Sequence, residues 1–147
     1  MNNALLVVVL AVLPVGAGTT AVPPLVPQLD GTSWILSTLA GRTTTGHDRV
    51  TLVFDAARIR GTDGCNQYTG PYSAVDTRLK IGPEVLSTQM GCPTKIMELA
   101  SSYMSVLRAA NSYRVSGGEL LLVGATGRVL ATFVRPTKPL AGSHSQD

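Results

Sequence analysis

Apolar and polar residues alternate along much of the chain between residues 32 and 134, which is the period of β-strands that bury one face. The alternation is clearest in TSWILSTL (32–39), RVTLVF (49–54) and RVLATFV (128–134). Clusters of Gly, Asp, Thr and Ala separate such runs and are typical of tight turns between neighbouring strands. Seven hairpin-connected strands are predicted in this way, over residues 32–39, 49–54, 58–61, 68–75, 79–81, 119–124 and 128–134.

One segment has the period of a helix instead. In PTKIMELASSYMSVLRAANSY (93–113) apolar residues recur at steps of three and four, and this stripe consists of Ile96, Ala100, Tyr103, Leu107 and Ala110. Pro93 suits the first turn, where its missing N–H costs nothing, and Asn111 is a typical stop residue. A stripe at this spacing predicts a core face rather than a cofactor site. The expected fold is therefore α+β: a curved antiparallel sheet of about seven or eight strands, partly open and barrel-like, packed with one α-helix.

Length and composition favour one domain and disfavour a nucleic-acid binder. A chain of 147 residues that is 44% hydrophobic and 14% charged can bury one core of ordinary size. The formal net charge is +3, but the basic residues are scattered from Arg42 to Lys138 among acidic ones and form no basic stripe. Aromatic residues make up only 5% of the chain, which leaves few platforms on which bases could stack. We expect no nucleic-acid partner.

The start of the chain has the form of a secretory signal peptide. Residues 4–13 are all aliphatic, Pro14 and Gly16 interrupt the run, and small residues follow, so cleavage is expected after Ala17 or Ala21. A positively charged start is missing, and an uncleaved membrane anchor or an ordinary buried segment are the alternatives. The predicted organisation is a signal peptide over 1–21, a linker over 22–28, the domain over 29–135 and a disordered tail over 136–147.

The expected location is outside the cytoplasm, in the periplasm, the cell envelope or the secreted fraction. No cysteine stands directly after either cleavage site, as a bacterial lipoprotein would require, so any membrane contact is expected to be peripheral. In an oxidising compartment the two cysteines, Cys65 and Cys92, are expected to form a disulfide. Two alternatives stay open at this point. Both cysteines with His47 would give three metal ligands, although without the short spacings that hold zinc, and either cysteine could be a reactive thiol.

The stretch GTDGCNQYTG (61–70) places Cys65 in a glycine-rich segment between two predicted strands. Gly61 and Gly64 can adopt the positive φ that a tight turn or bulge demands, and Asn66 can bond the local backbone through its side chain. A phosphate-binding loop is disfavoured, because a strand rather than a helix or a Lys follows. Asp63, beside these glycines, is a candidate ligand contact.

Two motifs together resemble a known family. The first has the form GxxGCNxYxGxY and is matched by Gly61, Gly64, Cys65, Asn66, Tyr68, Gly70 and Tyr72. The second has the form STxMxCP and is matched by Ser87, Thr88, Met90, Cys92 and Pro93. Over residues 29–134 the chain resembles the META domain, or HslJ-like, family of heat-shock lipoprotein-like proteins. In that family a position early in the helix is usually acidic, and Glu98 fills it here.

The resemblance implies an exported bacterial protein linked to stress response and envelope integrity, with no established catalytic mechanism. It also implies an antiparallel sheet with a helix, similar to small lipoproteins that hold a lipid chain in a cracked barrel. The residues themselves offer no assembled catalytic group, because His47 lies in a polar turn and His144 in the tail, without an orienting carboxylate. No cofactor and no metal are expected.

Three functions are therefore carried forward. The first is a non-enzymatic interaction module, expected to be a monomer, that binds an unknown envelope protein. The second is a binding protein for a small apolar ligand or lipid, with candidate contacts that more often simply fill a core: Trp34, Phe54, Tyr103 and Leu107. The third is an uncharacterised hydrolase.

Overall fold

The structure, a computed structural model, describes residues 16, 18, 28–44, 50–138 and 140. Except for Gly16, Gly18 and residue 28, the predicted signal peptide and linker lie outside the described residues, as do most of the predicted tail and both histidines. The described residues form ten strands: β1 Ser33–Leu39, β2 Arg42–Thr43, β3 Thr51–Asp55, β4 Arg58–Thr62, β5 Gln67–Val75, β6 Arg78–Ile81, β7 Leu86–Ser87, β8 Ala110–Ser116, β9 Glu119–Gly124 and β10 Val129–Val134. They also form one helix, α1, over Thr94–Ala109.

Eight of these strands close into an antiparallel barrel. Their order around the barrel is β1, β3, β4, β5, β6, β8, β9 and β10, and β10 pairs with β1 to complete the circle. The short strands β2 and β7 extend the sheet beside β1 and β5. The α+β class is confirmed. The expectation of a partly open barrel is corrected, because β1 has a strand partner on each side and the sheet therefore has no free edge at this point.

Each of the seven predicted strands corresponds to a strand of the barrel, but the predictions missed β8. Residue Ala110 continues the apolar stripe of the helix, yet its backbone is already extended (φ −62°, ψ 128°) and begins β8. Beyond it only Tyr113 and Val115 alternate with polar residues, which is too short a pattern to predict a strand. Pairing of β8 with β9 over its full length stabilises this weakly patterned segment.

The core fills the interior of the barrel and the contact between barrel and helix. Of the predicted stripe, Ala100, Tyr103 and Leu107 are buried on α1, and Met104 joins them. Trp34, Phe54, Tyr103 and Leu107 are 0% exposed, so the structure places the predicted apolar ligand contacts in the packed core. Each such side chain contributes about 1.5–3 kcal/mol of hydrophobic stabilisation.

Several hairpins of the barrel turn within two residues. Ala40–Gly41, Ala56–Ala57 and Gly117–Gly118 all have positive φ at both positions, the geometry that matches the twist of the flanking strands. Glycine adopts this conformation freely, whereas an L-residue with a Cβ is strained in it by about 1–2 kcal/mol. The Ala56–Ala57 turn, with φ of 48° and 63°, therefore carries strain that glycines would avoid.

Candidate functional site

The disulfide connects the two sequence motifs. Cys65 and Cys92 are bonded, with their Cα atoms 6.0 Å apart, which confirms the predicted bridge. It joins the loop between β4 and β5 to the residue before Pro93, where α1 begins. The thioether of Met97, on the first turns of α1, lies 3.7 Å from the Cys65 sulfur. The bridge thus attaches the start of the helix to the wall of the barrel.

Asp63 organises the loop that carries Cys65. Its side chain is buried, and one carboxylate oxygen, Oδ1, accepts hydrogen bonds from the backbone N–H groups of Cys65 (2.9 Å) and Asn66 (2.6 Å). The backbone N–H of Asp63 donates in turn to the Asn66 carbonyl (3.0 Å). This tight turn makes Asp63, a predicted candidate ligand contact, part of the interior of the loop.

Asn66 links the loop to the second motif. Its side-chain oxygen accepts hydrogen bonds from the Met90 backbone N–H (2.7 Å) and from the Thr88 hydroxyl (3.1 Å). The Thr88 hydroxyl oxygen also accepts one from the Gln67 backbone N–H (3.1 Å). The residues of the two motifs, distant in sequence, therefore form a hydrogen-bonded network next to the disulfide.

Replacing Asn66 by alanine is expected to destabilise the protein by about 2 kcal/mol, because two donors lose their acceptor. Denaturant unfolding monitored by fluorescence measures the change. Gln67→Ala is the matched control: its side chain is exposed on β5, and a shift within about 0.5 kcal/mol is expected. Equal effects of the two substitutions would contradict the role given to the Asn66 side chain.

Two further motif positions are glycines because other atoms occupy the space of a side chain. A Cβ on Gly61 would lie 2.0 Å from the Thr51 carbonyl oxygen. That oxygen accepts a hydrogen bond of 2.7 Å from the Tyr68 hydroxyl, which also lies 2.7 Å from the Tyr103 hydroxyl. At Gly70 a Cβ would lie 2.9 Å from the Val85 side chain. The close approach at Gly61 lies between strands β3 and β4, and the one at Gly70 brings the segment before α1 against β5.

A cleft of about 540 Å³ opens elsewhere on the barrel wall. We call it the tyrosine cleft, and among its lining residues are Leu29, Asp30, Ala57, Tyr72, Asp76 and Tyr113. The Tyr72 hydroxyl donates to the Asp30 carboxylate at 3.4 Å, and its ring packs edge-on against Phe54 with centroids 4.9 Å apart. Tyr72 is a residue of the first motif, but the sequence offered no signal that would have grouped Asp30, Asp76 and Tyr113 with it.

Strained backbone borders the tyrosine cleft. Ala57 and Asp76, both in its lining, have φ of 63° and 54°. Ala56, which lies in the same hairpin turn as Ala57, has φ of 48°. Together with Ala40, these are the non-glycine residues with positive φ in the described part of the chain. Strain of this kind often occurs at sites selected for binding rather than for stability. Because of its volume of about 540 Å³ and the polar groups that several elements contribute to its lining, the tyrosine cleft is the candidate recognition site of the barrel.

All four tyrosines of the protein have pKa values raised above 10. Burial is the main cause for each. For Tyr72 burial and then the Asp30 carboxylate raise the pKa to about 12, and for Tyr113 burial and then Asp76 act in the same direction. For Tyr68 and Tyr103 the core excludes the water that a phenolate would need.

These shifts predict alkaline unfolding. Because the folded pKa values lie above the unfolded value of 10, the folded state binds these protons more tightly, and the resulting stability is complete below pH 10. It is expected to fall as the pH rises from 10 towards 12, the folded pKa of Tyr72. Ultraviolet absorbance of the phenolates should rise together with loss of the circular dichroism signal of folded aromatics. Ionisation of all four tyrosines near pH 10 in the still-folded protein would contradict this prediction.

Among the residues that the structure describes, no three or more His, Cys, Asp or Glu side chains form a cluster that could hold a metal ion. Over the same residues, no helix has the length and apolar character needed to cross a membrane.

Comparison with known proteins decides the family. The family model described as META domain matches residues 27–137, which include both motifs and the whole barrel. The chain belongs to the META domain family. A comparison of this META domain protein with curated proteins found no match.

Solved structures share the fold of this META domain. An NMR structure of a protein from Burkholderia xenovorans has a TM-score of 0.61 and 26% sequence identity, and the match covers 86% of this chain and all of that one. A second NMR structure has a TM-score of 0.58 at 19% identity, covering 73% of this chain and 91% of that one. The crystal structure of a DUF4847 family protein from Bacteroides vulgatus has a TM-score of 0.56 at 12% identity, covering 76% of this chain and 96% of that one. The last two show similarity of fold alone.

Proposed function

We propose that this META domain protein is an exported, non-enzymatic binding module that acts in the bacterial cell envelope or secreted fraction and supports envelope integrity under stress. The observation that carries the proposal is the disulfide between Cys65 and Cys92. Disulfides persist in oxidising compartments and are rare in the reducing cytoplasm. The aliphatic run over residues 4–13, followed by small residues, supports the same location.

The use of the motif side chains supports a binding role over a catalytic one. One side-chain oxygen each of Asp63, Asn66 and Thr88 accepts hydrogen bonds within the loop network. The Ser87 hydroxyl donates to the Thr88 carbonyl (3.1 Å), so it too serves the local backbone. A nucleophile would instead need a base within hydrogen-bond distance. We infer that the hydrogen-bonded loop network of the two motifs maintains the barrel, and that recognition takes place at the tyrosine cleft, to which the first motif contributes Tyr72.

Expression of the full chain in a bacterium tests the location. We expect the mature protein to lack residues 1–21, to appear outside the cytoplasm and to contain no free thiol after denaturation and alkylation. Leu10→Arg, which places a charge in the aliphatic run, is the matched control and should retain the protein in the cytoplasm with both thiols free. A wild-type protein that keeps its first 21 residues and both thiols in the cytoplasm would refute the proposal.

The envelope role has a separate test. Deletion of the gene is expected to increase sensitivity to detergent and to envelope-directed antibiotics, and a copy encoding the full chain should restore resistance. Unchanged growth and permeability of the deletion strain under these stresses would leave the protein exported but without the proposed role.

A further inference from the structure

The tyrosine cleft differs in charge from the rest of the molecule. The protein has a formal net charge of +3, yet two carboxylates, Asp30 and Asp76, line the cleft, and no Lys, Arg or His is among the described residues that line it. Asp55, on the neighbouring strand β3, has a partner in Arg60 at 3.8 Å. Within the described part of the chain, neither Asp30 nor Asp76 forms such an ion pair. Among the described residues, no basic side chain is therefore paired with either carboxylate.

The raised pKa values of the two tyrosines follow from the same placement of the carboxylates. After burial, Asp30 is the largest contributor to the raised pKa of Tyr72, and Asp76 is the contributor for Tyr113. The same field that disfavours a phenolate at these positions favours a cation. The ring of Tyr72 is partly exposed, and aromatic rings of this kind attract ammonium groups.

The volume of the cleft and its apolar lining further restrict the class of ligand that it can bind. A volume of about 540 Å³ is within the range of small-molecule sites and is larger than a single ammonium group requires. Leu29, Ala57 and Ala74 contribute apolar surface to the lining, which suits a short methylene chain. Asp30 precedes β1 and Asp76 lies in the β5–β6 turn, so carboxylates come from two separate elements.

We propose that the tyrosine cleft binds a small aliphatic amine with two ammonium groups, held by the carboxylates of Asp30 and Asp76 with its alkyl chain against the rings of Tyr72 and Tyr113. This assignment deepens the proposed binding function by naming its ligand class. It excludes anions, which the two carboxylates repel, and it excludes purely apolar ligands, which would leave both carboxylates desolvated without a partner.

Titration of the disulfide-bonded protein with 1,5-diaminopentane tests the proposal, with calorimetry and the chemical shifts of the cleft residues as readouts. Neutral 1,5-pentanediol has the same chain without the charges, and glutarate has the opposite charge. We expect saturable binding of the diamine alone, centred on Tyr72 and Tyr113, with an affinity that falls as salt is added. Equal binding of diol and diamine, or shifts confined to other surfaces, would overturn the assignment.

Charge-neutralising variants complete the test. Asp30→Asn and Asp76→Asn should each weaken diamine binding by about tenfold, the effect of losing one charge-assisted contact. Asn tolerates the positive φ of residue 76, so this variant is expected to fold normally. Glu98→Gln, which removes a charge from an exposed position on α1 outside the cleft lining, is the matched control and should bind as the wild type does. Full diamine affinity in an Asp30→Asn, Asp76→Asn double variant would refute the proposal.

The two proposals can fail separately. An exported, disulfide-bonded protein that ignores diamines would disprove only the ligand class. Diamine binding by a protein that stays in the cytoplasm would disprove only the envelope function.

Discussion

Substitution of Gly61 by alanine is expected to destabilise the barrel by about 3 kcal/mol or more, enough to leave a substantial fraction unfolded in a domain of ordinary stability. The added Cβ would lie 2.0 Å from the carbonyl oxygen of Thr51 and 2.8 Å from its carbonyl carbon. Both are backbone atoms of the paired strand β3, so no side-chain rotation can relieve the contact. The strands would have to separate, which would also break the bond from the Tyr68 hydroxyl to the same oxygen.

Gly91→Ala is the control for this experiment. A Cβ at Gly91 meets no atom within 4 Å, and its φ is not positive, so an effect within about 0.5 kcal/mol is expected. Denaturant unfolding of both variants, with circular dichroism as the readout, gives the comparison. A Gly61→Ala protein as stable as Gly91→Ala would mean that β3 and β4 are not in such close contact at this position.

Removal of the disulfide is expected to have the next largest effect, a loss of about 3.5 kcal/mol. The bridge closes a loop between residues 27 apart in sequence, and the chain-entropy model assigns that value to a loop of this size. The double variant Cys65→Ala, Cys92→Ala should therefore unfold at lower denaturant concentration than the wild type. Single variants are less suitable, because each leaves a free thiol that can react with other molecules.

Reduction provides the control for the disulfide experiment. In a dithiol reductant the wild type should lose about as much stability as the double variant, whereas the double variant should not respond to the reductant. The hydrogen bonds of Asn66 to Met90 and Thr88 remain in the reduced protein, so the loop is expected to stay folded. A wild type whose unfolding is unchanged by complete reduction would contradict the stabilising role of the bridge.

In the first motif the sequence predicted the roles of Gly64 and Asn66 correctly, but not the role of Gly61. Gly64 does have positive φ, as the tight turn required, and Asn66 does bond through its side chain. For Gly61 the expected reason was wrong: its φ is not positive, and close contact with Thr51 is what demands glycine. A turn preference is a property of a few residues in order, whereas contact with another strand depends on how distant segments pair.

The tyrosine cleft could not be predicted from the sequence. Its lining comes from the segment before β1, the β3–β4 turn, strand β5 with its following turn, and strand β8. No spacing rule connects these segments, and β8 itself was not predicted. Only the closed barrel brings the carboxylates of Asp30 and Asp76 beside Tyr72 and Tyr113.

The amino-acid sequence alone predicted seven of the eight barrel strands, the helix after Pro93 and the glycine-rich turn, and it favoured a disulfide between the two cysteines. Periodicity, turn chemistry and cysteine number can be read from short segments or from overall composition. Tertiary structure alone decided that the sheet closes through β1 and β10, that Ala110 ends the helix and begins a strand, and that acidic and aromatic residues meet in one cleft. These features depend on hydrogen-bond register and packing between residues far apart in the chain, which no local pattern encodes.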